Sequence, residues 1–213
     1  MIIAINGKIG SGKDTVGEII RYIISYKKNG GAWKYPTGFK TGVEYTESDW
    51  EIKKFAGKLK IVASILSGSP IENFEDQDFK KQSMTSNWNM TYREFLQKIG
   101  TDALRDNLHE DVWVNSLFAE YERPSYWEGR EEIWGKFPNW IITDLRFPNE
   151  LKHIKEKGGI TIRVTRPNVI NDVSHPSETA LDDFEFDYEL VNDSSIYNLI
   201  EKVNTILINK KII

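Results

Sequence analysis

The residues best suited to chemistry stand in a glycine-rich stretch near the start of the chain, NGKIGSGKDT. Gly7, Gly12 and Lys13 match the phosphate-binding pattern G-x-x-x-x-G-K-[ST], but Asp14 replaces the hydroxyl residue and Thr15 follows one place late. Glycines let backbone N–H groups surround an anion, the next helix adds its positive end, and the lysine reaches the β- and γ-phosphates. The stretch predicts a nucleotide-binding loop in preference to a chance glycine turn.

Asp14 raises the question of whether this loop still supports metal chemistry. The hydroxyl that normally follows the lysine holds Mg²⁺, whereas a carboxylate repels phosphate and attracts this hard cation, which often keeps its waters. Asp14 can therefore contact Mg²⁺ directly, contact it through water, or only stabilise the positive end of the helix. Thr15 still offers a hydroxyl to a phosphate oxygen. We interpret the pair as a rearranged metal site that needs support from a second carboxylate.

A second carboxylate stands near the end of an apolar strand, WIITDL at 140–145. Asp144 has the position of the Mg²⁺-positioning aspartate of phosphate-loop enzymes, because the carboxyl ends of parallel strands carry the site. Arg146 faces the same way at strand spacing, and Glu150 falls in the first turn of the next helix. We predict that this group belongs to the site; a helix cap beside a solvated arginine is the alternative.

Phosphoryl transfer also needs cations around the transferred group, where one arginine can be worth ~10³–10⁵ in rate. From spacing alone each candidate is more often a solvated residue than a ligand, but Arg166 closes a strand before a lid-like segment, and Arg105 shares a helix with GTD at 100–102. Trp113 stands at helical spacing, which favours a core position over a platform for a base. The cations considered are Lys58, Lys60, Arg93, Arg105, Arg163 and Arg166.

Elements of the right kind surround these residues. Apolar runs predict strands at 2–6, 50–56, 140–145, 160–166 and 187–193, and helical periodicity predicts helices at 14–28, 57–68, 91–108, 110–123, 148–159 and 195–210. We expect a loop or small hairpin at 29–49, a mobile irregular insertion at 71–89, a loop with aromatic anchors at 124–139 and a lid at 167–186. The alternation of strands and helices predicts a parallel sheet covered on both faces, within one domain spanning 1–213.

Composition excludes several other classes. Of 213 residues, 39% are hydrophobic and 28% are charged, the balance of an ordinary globular chain. The absence of cysteine excludes disulfides, thiol catalysis and Cys-ligated zinc, and the three histidines lack metal-ligand spacing. A net charge of −4 argues against a nucleic-acid-binding face, and no apolar run is long enough for a membrane span. Since we find no signal peptide, we expect the protein in the cytoplasm.

Several short motifs, taken in order, resemble one family. They are GKDT (12–15), FAGKLK (55–60), LQKIGTDALRDNLHEDVWV (96–114), DLRFPNE (144–150), RP (166–167), SHPSE (174–178) and VNDSS (191–195). The series resembles the deoxynucleoside monophosphate kinases of tailed bacteriophages, nearly end to end and most weakly at 29–49, 71–90 and 124–139. The most specific part is LQ-x-x-GTD followed by W and then by D-x-R-x-x-x-E, since GKDT also occurs in other small-molecule kinases.

The resemblance implies an α/β fold of three layers, the P-loop kinase fold, with a parallel central sheet. A helical substrate-binding region would occupy about 56–123, and a lid would occupy about 166–186. It further implies transfer of the γ-phosphoryl group of ATP to a deoxynucleoside 5′-monophosphate with Mg²⁺. The aspartate that follows the lysine belongs to this family's pattern.

The resemblance also implies roles for individual residues. The donor ATP would be bound by Gly7, Gly10, Ser11, Gly12, Lys13, Asp14 and Thr15, with Asn192 and Asp193 near adenine. The acceptor would be bound by Lys60, Arg93, Gln97, Gly100, Thr101, Arg105 and Trp113, with His175 of the lid. Asp144, Arg146 and Glu150 would lie where acceptor, metal and transferred group meet. Catalysis would fall to Lys13, Asp144, Arg146 and Arg166, and the metal to Asp14, Thr15 and Asp144.

Other functions remain open at this point. The same fold can serve a different acceptor, such as dephospho-coenzyme A, a mevalonate phosphate or a ribonucleotide. A nucleotide-dependent binding module without transfer activity is a further reading, although a pure switch has no need of the second cation cluster formed by Lys60, Arg93 and Arg105. A structural role without nucleotide is the last. The sequence does not indicate base preference, sugar selectivity or oligomeric state, for which a homodimer is one option.

Overall fold

The computed structural model describes residues 1–28, 39, 48–85, 87–167 and 178–213. Strands lie at Ile2–Asn6 (β1), Trp50–Lys53 (β2), Ser125–Glu128 (β3), Glu131–Trp134 (β4), Asn139–Leu145 (β5), Ile160–Thr165 (β6) and Tyr188–Val191 (β7). The α-helices are Lys13–Lys28 (α1), Ala56–Ser67 (α2), Gln77–Lys81 (α3), Tyr92–Gln97 (α4), Val112–Phe118 (α5), Pro148–Glu156 (α6) and Ile196–Asn209 (α7). A 3₁₀-helix covers Ile71–Glu75, and a π-helix covers Lys98–Arg105.

These elements form two compact units, each with its own hydrophobic core. The sheet unit comprises residues 1–54 and 121–213, and the helical unit comprises residues 55–120. The helical unit has nearly the extent of the substrate-binding region implied by the resemblance, 56–123. The assignment of 1–213 to one domain stays a prediction.

The sheet unit is built on five parallel strands in the order β2-β5-β1-β6-β7. The central strand β1 is apolar on both sides, with Ile2, Ile3, Ala4 and Ile5 all at most 1% exposed, because a parallel sheet is covered by helices. The parallel direction brings the carboxyl ends of all five strands to one edge, where ligands bind in open α/β sheets. The predicted α/β fold with a parallel central sheet is confirmed.

Helices α1 and α7 pack on one face of this sheet. Ile3 of β1, Ile20 of α1 and Val203 of α7 belong to one buried cluster. Helix α6 packs beside β6, where its Leu151 and Ile154 are 3% and 0% exposed. The apolar residues of these helices recur at 3.6-residue spacing, which is why their sequences predicted them to within a few residues.

The helical unit has a second core, and an unexpected segment contributes to it. The polar sequence at 71–89 predicts an irregular insertion, but the 3₁₀-helix and α3 occupy residues 71–81. Asp76 caps α3 by accepting two backbone N–H hydrogen bonds of 2.7 Å. Phe74 is 0% exposed, with its ring centroid 5.9 Å from that of Tyr92. The prediction is wrong over 71–81 because one buried aromatic residue anchors an otherwise polar sequence.

Replacing Phe74 with alanine should lower the free energy of unfolding by about 3–5 kcal/mol, the usual cost of removing a fully buried phenylalanine. Urea unfolding followed by circular dichroism measures this change. Leu66→Ala provides the control, because Leu66 of α2 is 52% exposed and should change stability by no more than about 0.5 kcal/mol. Equal losses in the two variants would contradict a core position for Phe74.

Strands β3 and β4 form an antiparallel hairpin in the segment 124–139, for which the sequence predicts a loop. Gly129 begins the turn with a φ of 64°, a left-handed conformation that glycine adopts without strain. The aromatic side chains of the hairpin are exposed, with Tyr126 at 56% and Trp127 at 70%. The loop prediction is wrong because the hairpin has no buried face to impose a clear alternation of apolar and polar residues.

Some predicted elements differ in length or type. The helix predicted at 91–108 begins with a capping box between Thr91 and Glu94 but continues as a π-helix, which a 3.6-residue period does not predict. The helix predicted at 110–123 is confined to α5. The strand predicted at 50–56 stops at Lys53, because Phe55 already has helical dihedral angles (φ −58°, ψ −40°).

Two expectations lie largely outside the described residues. They are the loop or hairpin at 29–49, of which only 39, 48 and 49 are described, and the part of the lid at 168–177. In the described ranges, none of the helices combines the length and apolar character that crossing a bilayer requires.

Candidate functional site

The glycine-rich loop follows β1 at the carboxyl edge of the sheet. Gly10 and Gly12 have φ angles of 79° and 97°, where other residues are strained. A Cβ atom at Gly7 would lie 2.4 Å from Ser11 Oγ and 2.6 Å from Val164 O, so no side chain fits there. The three glycines thus meet the conformational demands of a loop that folds around an anion.

Ser11 contributes a buried hydroxyl to this loop. The residue is 3% exposed, and its Oγ atom has no hydrogen-bond partner among the residues that the structure describes. A buried hydroxyl without a partner costs free energy. A phosphate oxygen is one group that can accept a hydrogen bond from it, so the loop fits a phosphorylated ligand.

Asn192 braces the loop from the end of β7. Its side-chain Nδ2 donates to Ser11 O at 2.9 Å, and its backbone N–H donates to Thr165 O at 2.7 Å. A Cβ atom on Gly12 would lie 2.6 Å from the same Nδ2. The neighbouring Asp193 pairs with Lys202 Nζ at 2.8 Å, a hydrogen bond that lowers the pKa of Asp193. Asn192 therefore helps to hold the phosphate loop in place, and its predicted position near adenine stays a prediction.

Lys13 opens α1 with its side chain almost fully buried, at 8% exposure. Burial and the nearby Arg146 guanidinium lower the pKa of Lys13, and the carboxylates of Asp14, Glu178 and Asp144 partly oppose this shift. The ammonium group therefore lies in a concentrated set of charges. Because this set is partly shielded from water, an anion placed there interacts with it more strongly than it would in solvent.

Asp14 contacts two polar groups of the sheet unit. Thr143 Oγ1 donates to Asp14 Oδ1 at 2.8 Å, and Lys54 Nζ lies 3.2 Å from the same oxygen. Partial desolvation raises the pKa of Asp14, whose side chain is 61% exposed, but Lys54 and the Thr143 hydroxyl outweigh that effect, so this pKa lies below its ordinary value. Asp14 is therefore ionised at neutral pH. Its partners favour a role in placing charge at the site over helix capping alone.

The end of β5 carries a β-bulge beside the loop. Ala4 pairs with Ile142 and Asn6 with Leu145, so Thr143 and Asp144 both lie opposite a single residue of β1. A bulge re-aims side chains at a strand end and often lies next to a functional site. Both bulge residues act on the loop, since Thr143 donates to its aspartate and Asp144 raises the pKa of its lysine.

Arg146 is joined to the phosphate loop through a buried carboxylate. Its Nη1 donates to Glu178 Oε1 in a charge-assisted hydrogen bond, and Glu178 Oε2 accepts the backbone N–H of Ile9 at 2.9 Å. The Glu178 side chain is only 3% exposed. Arg146 is therefore paired with a buried carboxylate, whereas the alternative interpretation of the sequence predicted a solvated arginine.

Glu150 makes the contacts of a helix cap. Its Oε2 accepts the backbone N–H groups of Arg146 at 2.8 Å and Phe147 at 3.0 Å, and the residue is 2% exposed. These bonds fix the turn that carries the Arg146 side chain. Glu150 therefore has a structural role, and its contact with substrate stays a prediction.

A cleft of about 380 Å³ opens on the β6 side of the phosphate loop. Arg166, an exposed residue at the end of β6, lies in its wall, and Lys8 of the loop pairs across it with Asp182 at 3.1 Å. Arg163 instead binds backbone carbonyls, including that of Phe184 at 2.9 Å. Of these two arginines, Arg166 is therefore the better placed to meet a ligand.

The predicted acceptor residues lie on neighbouring elements of the helical unit. Trp113 is 5% exposed, and its indole N–H donates to Gly100 O at 2.9 Å, so it occupies the core position that helical spacing favours. Lys60 Nζ pairs with Glu75, and Arg93 donates to Gln77 at 3.0 Å. The remaining members, Gln97, Thr101 and Arg105, are partly buried on α4 and the π-helix.

The predicted metal ligands form an open set. Among the described residues no three acidic or histidine side chains cluster as a closed metal site. Mg²⁺ commonly uses one or two carboxylates together with water and substrate phosphates. Asp14, Thr15 and Asp144 lie close to the phosphate loop and fit that kind of coordination. His175, predicted for the lid, lies outside the described residues.

Sequence reasoning missed three residues that organise the site: Glu178, Thr143 and Lys54. Glu178 ends the SHPSE motif, which signalled a resemblance but no role. Thr143 precedes Asp144, and an ordinary strand would point it to the opposite face. Lys54 follows a strand, and no motif distinguishes it from the other lysines and arginines, of which the chain has 28 in total. Their roles depend on contacts between segments distant in sequence.

Comparison with known proteins provides independent information on the family. A family model described as deoxynucleotide monophosphate kinase matches residues 37–203. A protein of Acanthamoeba polyphaga mimivirus described as such a kinase is 32% identical over 158 residues, which are 68% of this chain and 76% of that protein. The deoxynucleotide monophosphate kinase of Enterobacteria phage T4 is 25% identical over 137 residues, 64% of this chain and 48% of the phage enzyme.

A third relative carries no functional description. It is an uncharacterized protein of Ictalurid herpesvirus 1 (strain Auburn), 32% identical over 118 residues, which are 54% of this chain and 47% of that protein. The chain thus spans about half the length of the herpesvirus and phage T4 proteins. The similarity therefore extends to viruses other than the tailed phages.

Proposed function

The chain belongs to the deoxynucleotide monophosphate kinase family, and we propose that it transfers the γ-phosphoryl group of ATP to a deoxynucleoside 5′-monophosphate with the help of Mg²⁺. The products are ADP and the deoxynucleoside diphosphate. The observation that carries the proposal is a phosphate loop with a buried Lys13, next to Asp144 in the β5 bulge and to Arg146, which Glu178 links to the loop, in a chain of this family.

The phosphate loop binds the donor in this proposal. Backbone N–H groups of the loop bind the phosphates, apart from that of Ser11, which donates to Lys8 O at 3.1 Å. The Ser11 hydroxyl donates to a phosphate oxygen, and the positive end of α1 adds its dipole. Lys13 neutralises charge on the β- and γ-phosphates. Asn192 holds the loop in the conformation that presents these donors.

Transfer proceeds by in-line attack of an acceptor phosphate oxygen on the γ-phosphorus, with the β–γ bridging oxygen of ADP as leaving group. No covalent enzyme intermediate is required, so the protein contributes positioning and charge. Lys13 and Arg146 stabilise negative charge on the transferred group. Bound Mg²⁺ supplies further charge neutralisation on the phosphates, with Asp14, Thr15 and Asp144 as the groups that hold it.

We assign acceptor binding to the helical unit. Lys60, Arg93 and Arg105 supply cations for the acceptor phosphate, and the pairing of Lys60 with Glu75 orients one of them before the substrate arrives. Gln97, Gly100 and Thr101 line the pocket. Because Trp113 is buried and bonded to Gly100, it shapes the pocket by supporting the π-helix.

The proposed reaction belongs in the cytoplasm, where a virus-encoded kinase would find the nucleotides of its host. The partner is then a small molecule, and a homodimer stays a prediction. The lid role of Arg166 and His175, and the place of Asn192 and Asp193 near adenine, are part of the proposal.

A panel of acceptors tests the proposed function. Purified protein with ATP and Mg²⁺ should convert at least one deoxynucleoside monophosphate to its diphosphate, with kcat/KM about 10-fold or more above that for ribonucleoside monophosphates, dephospho-coenzyme A or phosphomevalonate. Product formation is measured by chromatography. Transfer to another acceptor class alone would assign a different kinase activity. ATP binding without transfer to any acceptor would instead indicate a binding module.

A further inference from the structure

Glu178 is a buried carboxylate with both oxygens engaged by different parts of the sheet unit. Oε1 accepts from the Arg146 guanidinium, and Oε2 accepts the Ile9 N–H of the phosphate loop at 2.9 Å. Its side chain is 3% exposed, against 27% for Arg146. A charge removed from water to this extent needs compensation from partners, and these two groups provide it.

The two partners of Glu178 have different chemistry. Ile9 contributes a backbone N–H in the middle of the loop, whereas Arg146 contributes a long, flexible cation that follows β5. An unrestrained arginine samples many rotamers, and its planar fork recognises phosphate only when correctly oriented. The carboxylate ties the guanidinium to the loop that binds the phosphates in the proposed function. Glu178 thus couples the orientation of Arg146 to the position of the loop.

Glu178 also provides a negative charge next to two cations of the site. Lys13 and Arg146 are both cationic, and like charges at one site repel each other. The Glu178 carboxylate offsets this repulsion. Without this carboxylate, the repulsion between the two cations would be less compensated, which would favour movement of the Arg146 side chain toward solvent.

We propose that Glu178 is a positioning residue for phosphoryl transfer, acting through Arg146. The inference rests on the proposed kinase function and extends it to a residue outside the phosphate loop and the DLRFPNE motif. Glu178 contacts neither nucleotide in this account. It sets the place of the guanidinium that contacts the transferred group.

Glu178→Gln separates the two contacts, because the amide oxygen can still accept from Ile9 while the negative charge toward Arg146 is lost. We expect kcat to fall about 10²-fold, the effect of misplacing a reacting group by about 1 Å. The KM for ATP and the dissociation constant of ADP should change less than about 3-fold, since the loop retains its brace. A loss confined to ADP affinity, with kcat unchanged, would overturn the proposal.

Asp182→Asn is the matched control on the same segment. Asp182 also pairs with the phosphate loop, through the Lys8 side chain, but 49% of its own side chain is exposed. Exposed pairs contribute little, so kcat should stay within about 3-fold. An equal loss of kcat in both variants would mean that tethering of the loop alone is responsible, and would overturn the role assigned to Arg146.

Combining Glu178→Gln with Arg146→Lys tests whether one residue acts through the other. If it does, the double variant should be no more than about 3-fold slower than Arg146→Lys alone, because residues that act as a unit are not additive. Fully multiplicative losses would contradict the proposal. Thermal melting of each variant verifies that the proteins are folded.

A chemical measurement keeps this inference separable from the proposed function. Phenylglyoxal modifies arginine, and the rate at Arg146 is read by mass spectrometry of peptides. Arg146 should react faster in Glu178→Gln than in the wild-type protein and in Asp182→Asn. Equal rates would overturn the positioning role, whatever the acceptor. Failure of the wild-type protein to phosphorylate any deoxynucleotide, together with an increased rate in Glu178→Gln, would overturn the kinase function alone.

Discussion

Replacing Lys13 with alanine should lower kcat/KM for phosphoryl transfer by about 10³-fold, since a single cation at a transferring phosphoryl group contributes on that order. Lys13 is buried at the start of α1, beside Asp14 and within electrostatic reach of Asp144, Arg146 and Glu178. Alanine removes its charge and leaves the acidic neighbours to repel phosphate. Steady-state kinetics with ATP and the preferred deoxynucleotide measure the loss.

The control for this variant is Lys152→Ala on α6. Lys152 has 72% of its side chain exposed and forms a surface pair with Glu156 at 3.9 Å, so its removal should leave kcat/KM unchanged. Both proteins should melt cooperatively. Full activity in a folded Lys13→Ala variant would remove the phosphate-loop assignment, because Lys13 is the residue proposed to neutralise the β- and γ-phosphates.

Replacing Asp144 with asparagine should reduce kcat by about 10²-fold, the scale of losing one preorganised electrostatic group. Asparagine keeps the shape of the side chain in the β5 bulge, where Asp144 is 9% exposed, but removes its charge. Under the proposed function the change should weaken the binding of Mg²⁺, and it leaves Lys13 with one fewer compensating carboxylate.

Calorimetric titration adds a readout that is independent of turnover. Wild-type protein should bind ATP more tightly with Mg²⁺ than with EDTA. In Asp144→Asn the ratio of the two ATP dissociation constants should be closer to one. Glu51→Gln on β2 is the control, since the Glu51 side chain is 58% exposed and both its activity and its ratio should match the wild type. An unchanged ratio and unchanged kcat in Asp144→Asn would exclude Asp144 from the site.

Much of the fold could be predicted because it depends on local signals. β1 and β5 are continuous apolar runs, and α1 and α7 repeat apolar residues every 3.6 positions, so each element is evident from its own sequence. The hairpin of β3 and β4 lacks such a signal, since its aromatic side chains remain exposed. The prediction for the segment around Phe74 is wrong for the opposite reason, because one buried aromatic ring anchors a segment in which most residues are polar.

The residues of the candidate site also differ in whether local sequence signals reveal them. Gly7, Gly12 and Lys13 could be found from the sequence because their spacing is dictated by one continuous loop. The β5 bulge shifts the alternation that would otherwise separate Thr143 from Asp144. The Glu178 bridge joins residues 32 positions apart in the chain. Pairings of this kind arise only when the sheet brings strand ends together, so composition and spacing do not reveal them.

The most direct test of the kinase assignment is a ³¹P NMR spectrum of wild-type protein with ATP, Mg²⁺ and a deoxynucleoside monophosphate. The resonances of ADP and the deoxynucleoside diphosphate should grow in equal amounts while those of ATP and the monophosphate fall. Accumulation of ADP and inorganic phosphate without any deoxynucleoside diphosphate, for each of the natural bases, would contradict it.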